Sequence, residues 1–219
     1  MGRPARFCTD DLVETATALA AGGGPAAVTM AAVARGAGAP SGSLYHRFPG
    51  RPALLAAVWL RALESFQAGC RESLSAGPAL GAAVDTARHV VSWSRAHPER
   101  ARVLLHRPSD FEAPHWPEAD RARWESANAG VGELLARVAD GLREPGEDEA
   151  RSRERVLLAV VDLPLALVRR HLPGGAGIPE GIEELAADSA RRLLSPPPGR
   201  AERLGEAGRP GGGAGAARG

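Results

Sequence analysis

Apolar residues recur along the chain at helical spacing, and no stretch shows the sustained period-two alternation of a half-buried strand. A first helix is predicted to begin after Thr9, which serves as its N-cap, and to bury Leu12, Ala16 and Leu19. A later stripe steps by three and four residues, as a helix buried on one face requires. Its members are Trp124, Ala127, Val131, Leu134 and Val138. The pattern predicts an all-α fold.

Segments rich in Pro, Gly or acidic residues separate the other predicted helices. One short helix follows Thr29. The others cover residues 41–47, 51–75, 79–96, 98–107, 117–141, 148–172 and 180–194. Pro164 lies inside the helix over 148–172 and is expected to kink it. Residues 196–219 are low-complexity sequence rich in Pro, Gly and Arg, so we expect them to form a disordered tail.

Composition limits the kinds of protein that this chain can be. Hydrophobic residues make up 44%, as in soluble globular proteins, and the net charge of +1 means that any surface for nucleic acid must be local. Cys8 and Cys70 form neither a disulfide framework nor a paired metal motif. The start of the chain lacks the apolar core of a signal peptide. The most apolar run, 156–168, is interrupted by Asp162 and Pro164. These features predict a cytoplasmic protein with no membrane segment and no cofactor.

Residues 29–48, TMAAVARGAGAPSGSLYHRF, predict two short helices joined by a tight turn. Val33 faces the core on the first helix, and Gly38 stands where the turn requires a positive φ. Leu44 and Phe48, four residues apart, attach the second helix to the same core and leave its other side polar. This arrangement is typical of the DNA-binding helix-turn-helix, whose second helix enters the major groove.

From about residue 9 to residue 60 the chain resembles the tetracycline-repressor (TetR) family of bacterial transcription regulators. The second short helix has that family's small-Leu-Tyr-x-x-Phe pattern, and a basic residue follows three positions after the Phe. The matching positions are Thr29, Val33, Ala34, Ala37, Gly38, Gly42, Ser43, Leu44, Tyr45, Phe48, Pro49, Arg51 and Leu54. The resemblance implies a three-helix helix-turn-helix DNA-binding domain in residues 1–55. A long helix would join it to a helical regulatory and dimerisation domain in residues 56–195.

The resemblance also implies roles for single residues. Thr29, Tyr45 and Arg51 would hold backbone phosphates, which fixes the register of the protein on DNA without reading its sequence. Arg51 stands where the family usually has lysine.

Three residues of the second short helix would lie near the base edges. Ser41, Ser43 and His46 would contribute direct readout there, and Gly42 would let the helix backbone approach the duplex closely. The chain departs from the family at Pro40, where a serine cap is common, and at Ser41, where a basic residue is common. Proline is tolerated in the first turn of a helix, so we expect the helix to form.

For the second domain the resemblance implies a pocket for a small-molecule effector, of unknown identity and of apolar or aromatic character. The candidate pocket residues are His89, Trp93, Trp116, Trp124 and Asn128. A tryptophan at helical spacing is also an ordinary core residue, and that alternative stays open.

The predicted helix over 148–172 is more apolar than a one-sided surface helix requires, and the last predicted helix has an apolar stripe. One contains VLLAVVDLPLALV, and the other carries the stripe Ile182, Leu185, Ser189 and Leu193. The resemblance implies that these helices pack against their copies in a four-helix bundle, which makes the protein a homodimer. Burial of both helices within a monomer is the alternative.

These features predict a ligand-responsive transcriptional repressor that binds a palindromic operator in double-stranded DNA as a homodimer. The sequence has no Gly-rich phosphate loop, no paired metal-ligand spacing and no G-x-S-x-G elbow, so an enzyme is not expected. The rival interpretations are a helical adaptor and a small helical enzyme, each with a repurposed helix-turn-helix.

Overall fold

The computed structural model describes residues 8–172 and 177–195, and every regular element in this part is helical. The N-terminal unit consists of α1 (Thr9–Gly23), α2 (Met30–Ala37) and α3 (Ser41–Tyr45). The later helices are α4 (Arg51–Ser75), α5 (Ala79–Ala96), α6 (Pro98–Leu105), α7 (Glu118–Gly141), α8 (Glu149–Leu157), α9 (Leu163–His171) and α10 (Ile182–Leu194). The predicted all-α fold is confirmed. Among these described helices, none combines the length and the apolar character that crossing a membrane requires.

The cap of α1 differs from the prediction. Cys8, and not Thr9, is the N-cap: its Sγ accepts a hydrogen bond from the Asp11 amide at 3.3 Å. The Asp11 carboxylate in turn accepts one from the Cys8 amide at 3.1 Å. This reciprocal pair needs an acidic residue three positions after the cap. Asp11 has that spacing from Cys8, whereas the corresponding residue for Thr9 is Leu12.

The turn between α2 and α3 follows the prediction. The Thr29 hydroxyl caps α2 by accepting from the Ala32 amide at 3.1 Å, and Gly38 adopts the left-handed conformation with φ 63°. Gly36 lies where α1 and α2 meet, and a Cβ there would stand 2.9 Å from the Thr15 Cγ2 atom. This glycine lowers helix propensity, but it permits the close approach of the two helices.

One hydrophobic cluster joins the N-terminal unit to residues far along the chain. It contains buried side chains of α1, α2 and α3, such as Leu12 and Leu44, and the apolar face of α4. It continues to Phe111 and Trp116 in the connector, defined here as residues 106–117 between α6 and α7. Two 3₁₀ turns shape the connector, Pro108–Phe111 and Ala113–His115. The N-terminal unit and the connector therefore share one core.

The predicted helix over 148–172 is interrupted in its middle. A five-residue π-helical segment, Leu158–Asp162, separates α8 from α9, and Pro164 is the second residue of α9. Proline has no N–H to donate within the helix and its ring crowds the preceding turn. A wider π turn accommodates such a break. The interruption expected from Pro164 thus takes the form of a π segment.

The turn between α7 and α8 is closed by one ion pair. Arg155 donates to the two carboxylate oxygens of Glu147 at 3.1 and 2.8 Å and to the Leu142 carbonyl at 2.8 Å. The hydrogen bond from Arg155, helped by one from the Glu144 amide, lowers the pKa of Glu147 from 4.5 to about 2. The carboxylate is thus held in its charged form.

Replacing this carboxylate makes stability less dependent on pH in the acid range. The Glu147 pKa is lower in the folded than in the unfolded chain, so its stabilising effect is complete above pH 4.5 and is lost as the pH falls towards 2. Glu147→Gln is expected to lower the unfolding temperature at pH 7, and the gap from the native protein should narrow below pH 4.5. Circular dichroism melts between neutral and acid pH measure the gap. Glu154→Gln, at an exposed position of α8, is the control. A gap that stays constant with pH would contradict the assignment.

Candidate nucleic-acid interface

The two sides of α3 differ sharply in exposure. Leu44 is fully buried and Phe48, just beyond the helix, is nearly so, and both belong to the shared core. Tyr45 is 59% exposed, and His46 next to it is also exposed. The buried pair holds a helix of only five residues in place, and its outer side faces away from the protein. We call Thr29, Gly42, Ser43, Tyr45 and His46 the recognition surface.

Gly42 has no structural reason to be glycine. It lies inside α3, its φ is not positive, and a Cβ added there would meet nothing within 4 Å. Glycine within a helix costs about 1 kcal/mol relative to alanine. Neither the backbone conformation nor packing within the described structure offsets that cost. An outer partner that lies against the helix backbone would account for it.

Ser43 is held by a residue that the sequence pattern did not single out. Arg47 donates through one terminal nitrogen to the Ser43 carbonyl at 2.9 Å and to the Ser43 hydroxyl at 2.8 Å. The arginine thereby places a positive charge at the end of α3, beside the recognition surface. The sequence signal for this contact is the four-residue spacing of Ser43 and Arg47, because side chains at that spacing meet on one helix face.

Thr29 and Ser41 stand at the starts of the two short helices. Thr29 is exposed, and its hydroxyl oxygen accepts the capping bond described above. A hydroxyl that accepts one hydrogen bond still has a proton to donate, so the cap is compatible with a phosphate contact. Ser41 is the first residue of α3, and its side chain lies outside the described part of the structure.

Arg51 is in a different position from the rest of the predicted set. It begins α4, and its guanidinium is turned back towards the protein. Nε donates to the Val28 carbonyl and a terminal nitrogen to the Pro25 carbonyl, both at 2.7 Å. The other terminal nitrogen forms an ion pair with Glu112 of the connector. Three acceptors within the chain thus take three of the five N–H donors of the side chain that was predicted to hold a phosphate.

The candidate effector residues fall into separate groups. On α5, the His89 ring stacks on Phe66 and lies 3.0 Å from the Phe66 carbonyl oxygen, in a space that only a glycine at position 69 leaves open. Trp93 is buried, and its indole N–H donates to the Ser65 hydroxyl at 3.2 Å.

The remaining three lie in the connector and on α7. Trp116 packs edge-on against Trp124 with ring centroids 6.0 Å apart. Asn128 is exposed and accepts a hydrogen bond from the buried Gln67 of α4 at 2.9 Å. It adjoins a groove of about 710 Å³ between α4 and α7, which is lined by Glu64, Arg71, Ala119, Ala122, Arg123, Ser126, Ala127 and Gly130. None of the five candidate effector residues is among those lining residues.

A family comparison matches one part of the chain, near its N-terminus. The model of the family described as bacterial regulatory proteins, tetR family, matches residues 12–58, from the first turn of α1 into α4. That span holds the whole helix-turn-helix and its recognition surface. These residues form a TetR-type helix-turn-helix domain. The match supports a DNA-binding transcriptional regulator, with α3 in the position of the recognition helix.

Solved TetR-like structures share the fold over almost the whole chain. The ketosteroid transcriptional regulator KstR2 of Mycobacterium tuberculosis is 20% identical, with a TM-score of 0.65 over 88% of this chain and 97% of that one. The TetR family regulator PfmR from Thermus thermophilus is 16% identical, with a TM-score of 0.63 and coverage of 87% and 97%. FadR from Bacillus subtilis, solved with stearoyl-CoA, is 14% identical, with a TM-score of 0.63 and coverage of 86% and 98%. A comparison with curated protein sequences found no match.

Neighbouring residues of the recognition helix should respond differently to truncation. Leu44→Ala removes a fully buried side chain and is expected to destabilise the TetR-like fold by about 2–5 kcal/mol. Tyr45→Ala removes a mostly exposed one and should change stability by no more than about 0.5 kcal/mol. Urea unfolding followed by circular dichroism measures both. Equal losses for the two variants would mean that Tyr45 is a packing residue.

Proposed function

We propose that the protein is a ligand-responsive repressor that binds a palindromic DNA operator as a homodimer. The observation that carries the proposal is the recognition surface of α3, where an exposed tyrosine and a histidine follow a glycine that the fold does not require. Tyr45 and Thr29 would contact phosphates, while Ser43 and His46 would lie close to the base edges. Arg47 adds a cation at the end of the helix that reaches the major groove.

The last helices support the homodimer. Three of the four exposed large hydrophobic side chains of the described structure lie there: Leu158 is 44% exposed, Leu185 51% and Leu193 39%. The opposite side of α10 packs against α5 through Ala186, Ala187 and Ala190, which are buried. Helices that are apolar on both sides fit a bundle with a second copy. A twofold axis there would present two recognition helices to half-sites about 34 Å apart.

The aromatic cluster beside α4 supports control by a small molecule. The buried Trp59 has no hydrogen-bond partner for its indole N–H among the described residues, and it packs against Phe111 and Trp116. Buried polar groups are almost always paired, so this donor suits a polar atom of an apolar or aromatic effector. The FadR structure with stearoyl-CoA shows a protein of this fold with a ligand that has a long apolar acyl chain. By entering, such a ligand would move the rings and favour one conformation over another.

Gly42 gives a sharp test of the DNA interface. Gly42→Ala is expected to stabilise the protein by up to about 1 kcal/mol through helix propensity. It should weaken binding to DNA about tenfold, because a methyl group at the closest approach disturbs a contact comparable with one base pair. The probe is a palindromic duplex that the native protein selects from a random-sequence library, titrated by fluorescence anisotropy.

The control is Gly81→Ala in α5, where a Cβ also meets nothing within 4 Å. It should stabilise the protein without affecting DNA binding. Unchanged affinity of Gly42→Ala would remove α3 from the interface. Failure to select any duplex, or binding that does not change with salt concentration, would favour the adaptor interpretation. Catalysis that survives removal of residues 1–55 would favour the enzyme.

Leu185 tests the dimer. Leu185→Asp places a charge in the proposed interface and is expected to give particles of 22.7 kDa, whereas the native protein should have twice that mass. Light scattering after gel filtration measures the mass, and anisotropy should show weaker binding to the palindrome. Ala129→Asp, at an exposed position of α7, is the control and should remain dimeric. A native monomer that binds the palindrome tightly would contradict the homodimer.

A further inference from the structure

Arg51 connects three segments of the chain. Two of its three nitrogens bind the carbonyls of Pro25 and Val28, which belong to the turn between α1 and α2. The third nitrogen binds the carboxylate of Glu112 in the connector. The guanidinium therefore stays fixed to the N-terminal unit through two bonds, while a single nitrogen links it to the connector. That nitrogen is the part of Arg51 that can change partner.

Glu112 is held in an unusual backbone conformation. Among the described residues it is the one non-glycine residue with positive φ, at φ 59° and ψ 33°. It joins the two 3₁₀ turns: its amide donates to the Ser109 carbonyl at 3.0 Å, and its carbonyl accepts from the His115 amide at 2.8 Å. Side chains resist this conformation and glycine accepts it freely. A glutamate kept there supplies what glycine lacks, which is a carboxylate for Arg51.

The connector is rigidly packed on both sides of Glu112. Phe111 is fully buried against Trp59 of α4, with ring centroids 5.1 Å apart. Trp116 donates from its indole nitrogen to the Phe111 carbonyl at 2.7 Å and contacts Trp124 of α7. A displacement of these rings must therefore move the backbone that carries Glu112. The ion pair lies where such a displacement would reach the N-terminal unit.

We propose that the Arg51–Glu112 pair is a latch that opposes DNA binding, because the connector carboxylate and a DNA phosphate compete for the same guanidinium nitrogen. The proposal rests on the proposed function. With the latch closed, the carboxylate of Glu112 compensates the positive charge of Arg51. On the operator the phosphate takes over the nitrogen, while Pro25 and Val28 keep Arg51 in place. Movement of the connector by an effector shifts this competition.

The exposure of the two partners sets the size of the effect. The Arg51 side chain is 29% exposed and that of Glu112 is 34% exposed, so solvent weakens their attraction. Ion pairs with this much solvent contact alter equilibria by only about 2- to 5-fold. The binding of Arg51 to the carboxylate and its binding to the phosphate therefore differ little in free energy. A small shift of the connector is enough to change which of the two Arg51 binds.

The test is a double-mutant cycle on DNA affinity. Glu112→Gln removes the charge and keeps the side-chain shape, so it should tighten binding to the selected palindromic duplex about 2- to 5-fold in anisotropy titrations at fixed salt. In the Arg51→Ala background the same change should have no effect, because the contested side chain is gone. Glu184→Gln is the matched control. It removes an equal charge from the pair with Arg88, whose side chains are 34% (Arg88) and 62% (Glu184) exposed and which joins α5 to α10.

A second variant distinguishes an effect of the latch on DNA affinity from an effect of lost stability. Glu112→Asn removes the carboxylate and shortens the side chain, and asparagine accepts positive φ more readily than glutamate. It should tighten DNA binding with no loss of thermal stability. Unchanged or weaker DNA binding by both Glu112 variants overturns the latch, as does equal tightening in the Arg51→Ala background. If the native protein selects no duplex, the proposed function fails and the latch fails with it. If the native protein binds but the cycle shows no coupling, the latch alone fails.

Discussion

The apolar face of α4 is the constraint on which the rest of the molecule depends. Leu54, Leu55 and Val58 are completely buried, and Trp59 follows them in the same cluster. The side chains that cover this face come from α1, α2 and α3 and from the connector. Each fully buried aliphatic side chain contributes about 1.5–3 kcal/mol. The DNA-binding helices therefore cannot change position without the connector responding, because both bury the same face.

Polar contacts around this core adjust positions that the core has already set. Glu14 of α1 receives hydrogen bonds from Arg61 of α4, at 3.4 Å, and from Arg100 of α6, at 2.7 Å, and Arg51 joins α4 to the connector. All of these side chains are partly exposed, so each pair contributes no more than about 1 kcal/mol. Such pairs are too weak to assemble the fold. Their strength is appropriate for biasing one arrangement of the N-terminal unit over another, which is the scale of ordinary allosteric coupling.

Helical periodicity and the Pro and Gly positions predicted nearly every helix, since both act locally along the chain. The cap of α1 was assigned to Thr9 because threonine is a usual cap, and the sulfur of Cys8 was overlooked. The partners of Arg51 and the Ser43–Arg47 contact depend on which segments meet in space, and periodicity does not contain that information. For the same reason the predicted helices placed His89 and Trp93 together and Trp124 on another helix, but they did not indicate that Trp116 of the connector packs against Trp124. The domain boundary at residue 55, the DNA contacts and the effector residues remain predictions.

The recognition helix itself is a compromise between folding and access. Five residues are too few for a helix to be stable alone, and α3 has a glycine inside it and no side-chain cap at Pro40. It is held instead by Leu44 and Phe48, whose burial in the shared core replaces the stability that its own sequence lacks. Because the buried side of α3 supplies its stability, packing does not constrain the residues on the outer side of this helix. A small residue can therefore be kept at Gly42 and an aromatic one at Tyr45 for the sake of the DNA surface. Because Leu44 and Phe48 belong to the same cluster as the connector, the helix that we propose reads DNA shares its core with the element that we propose controls it.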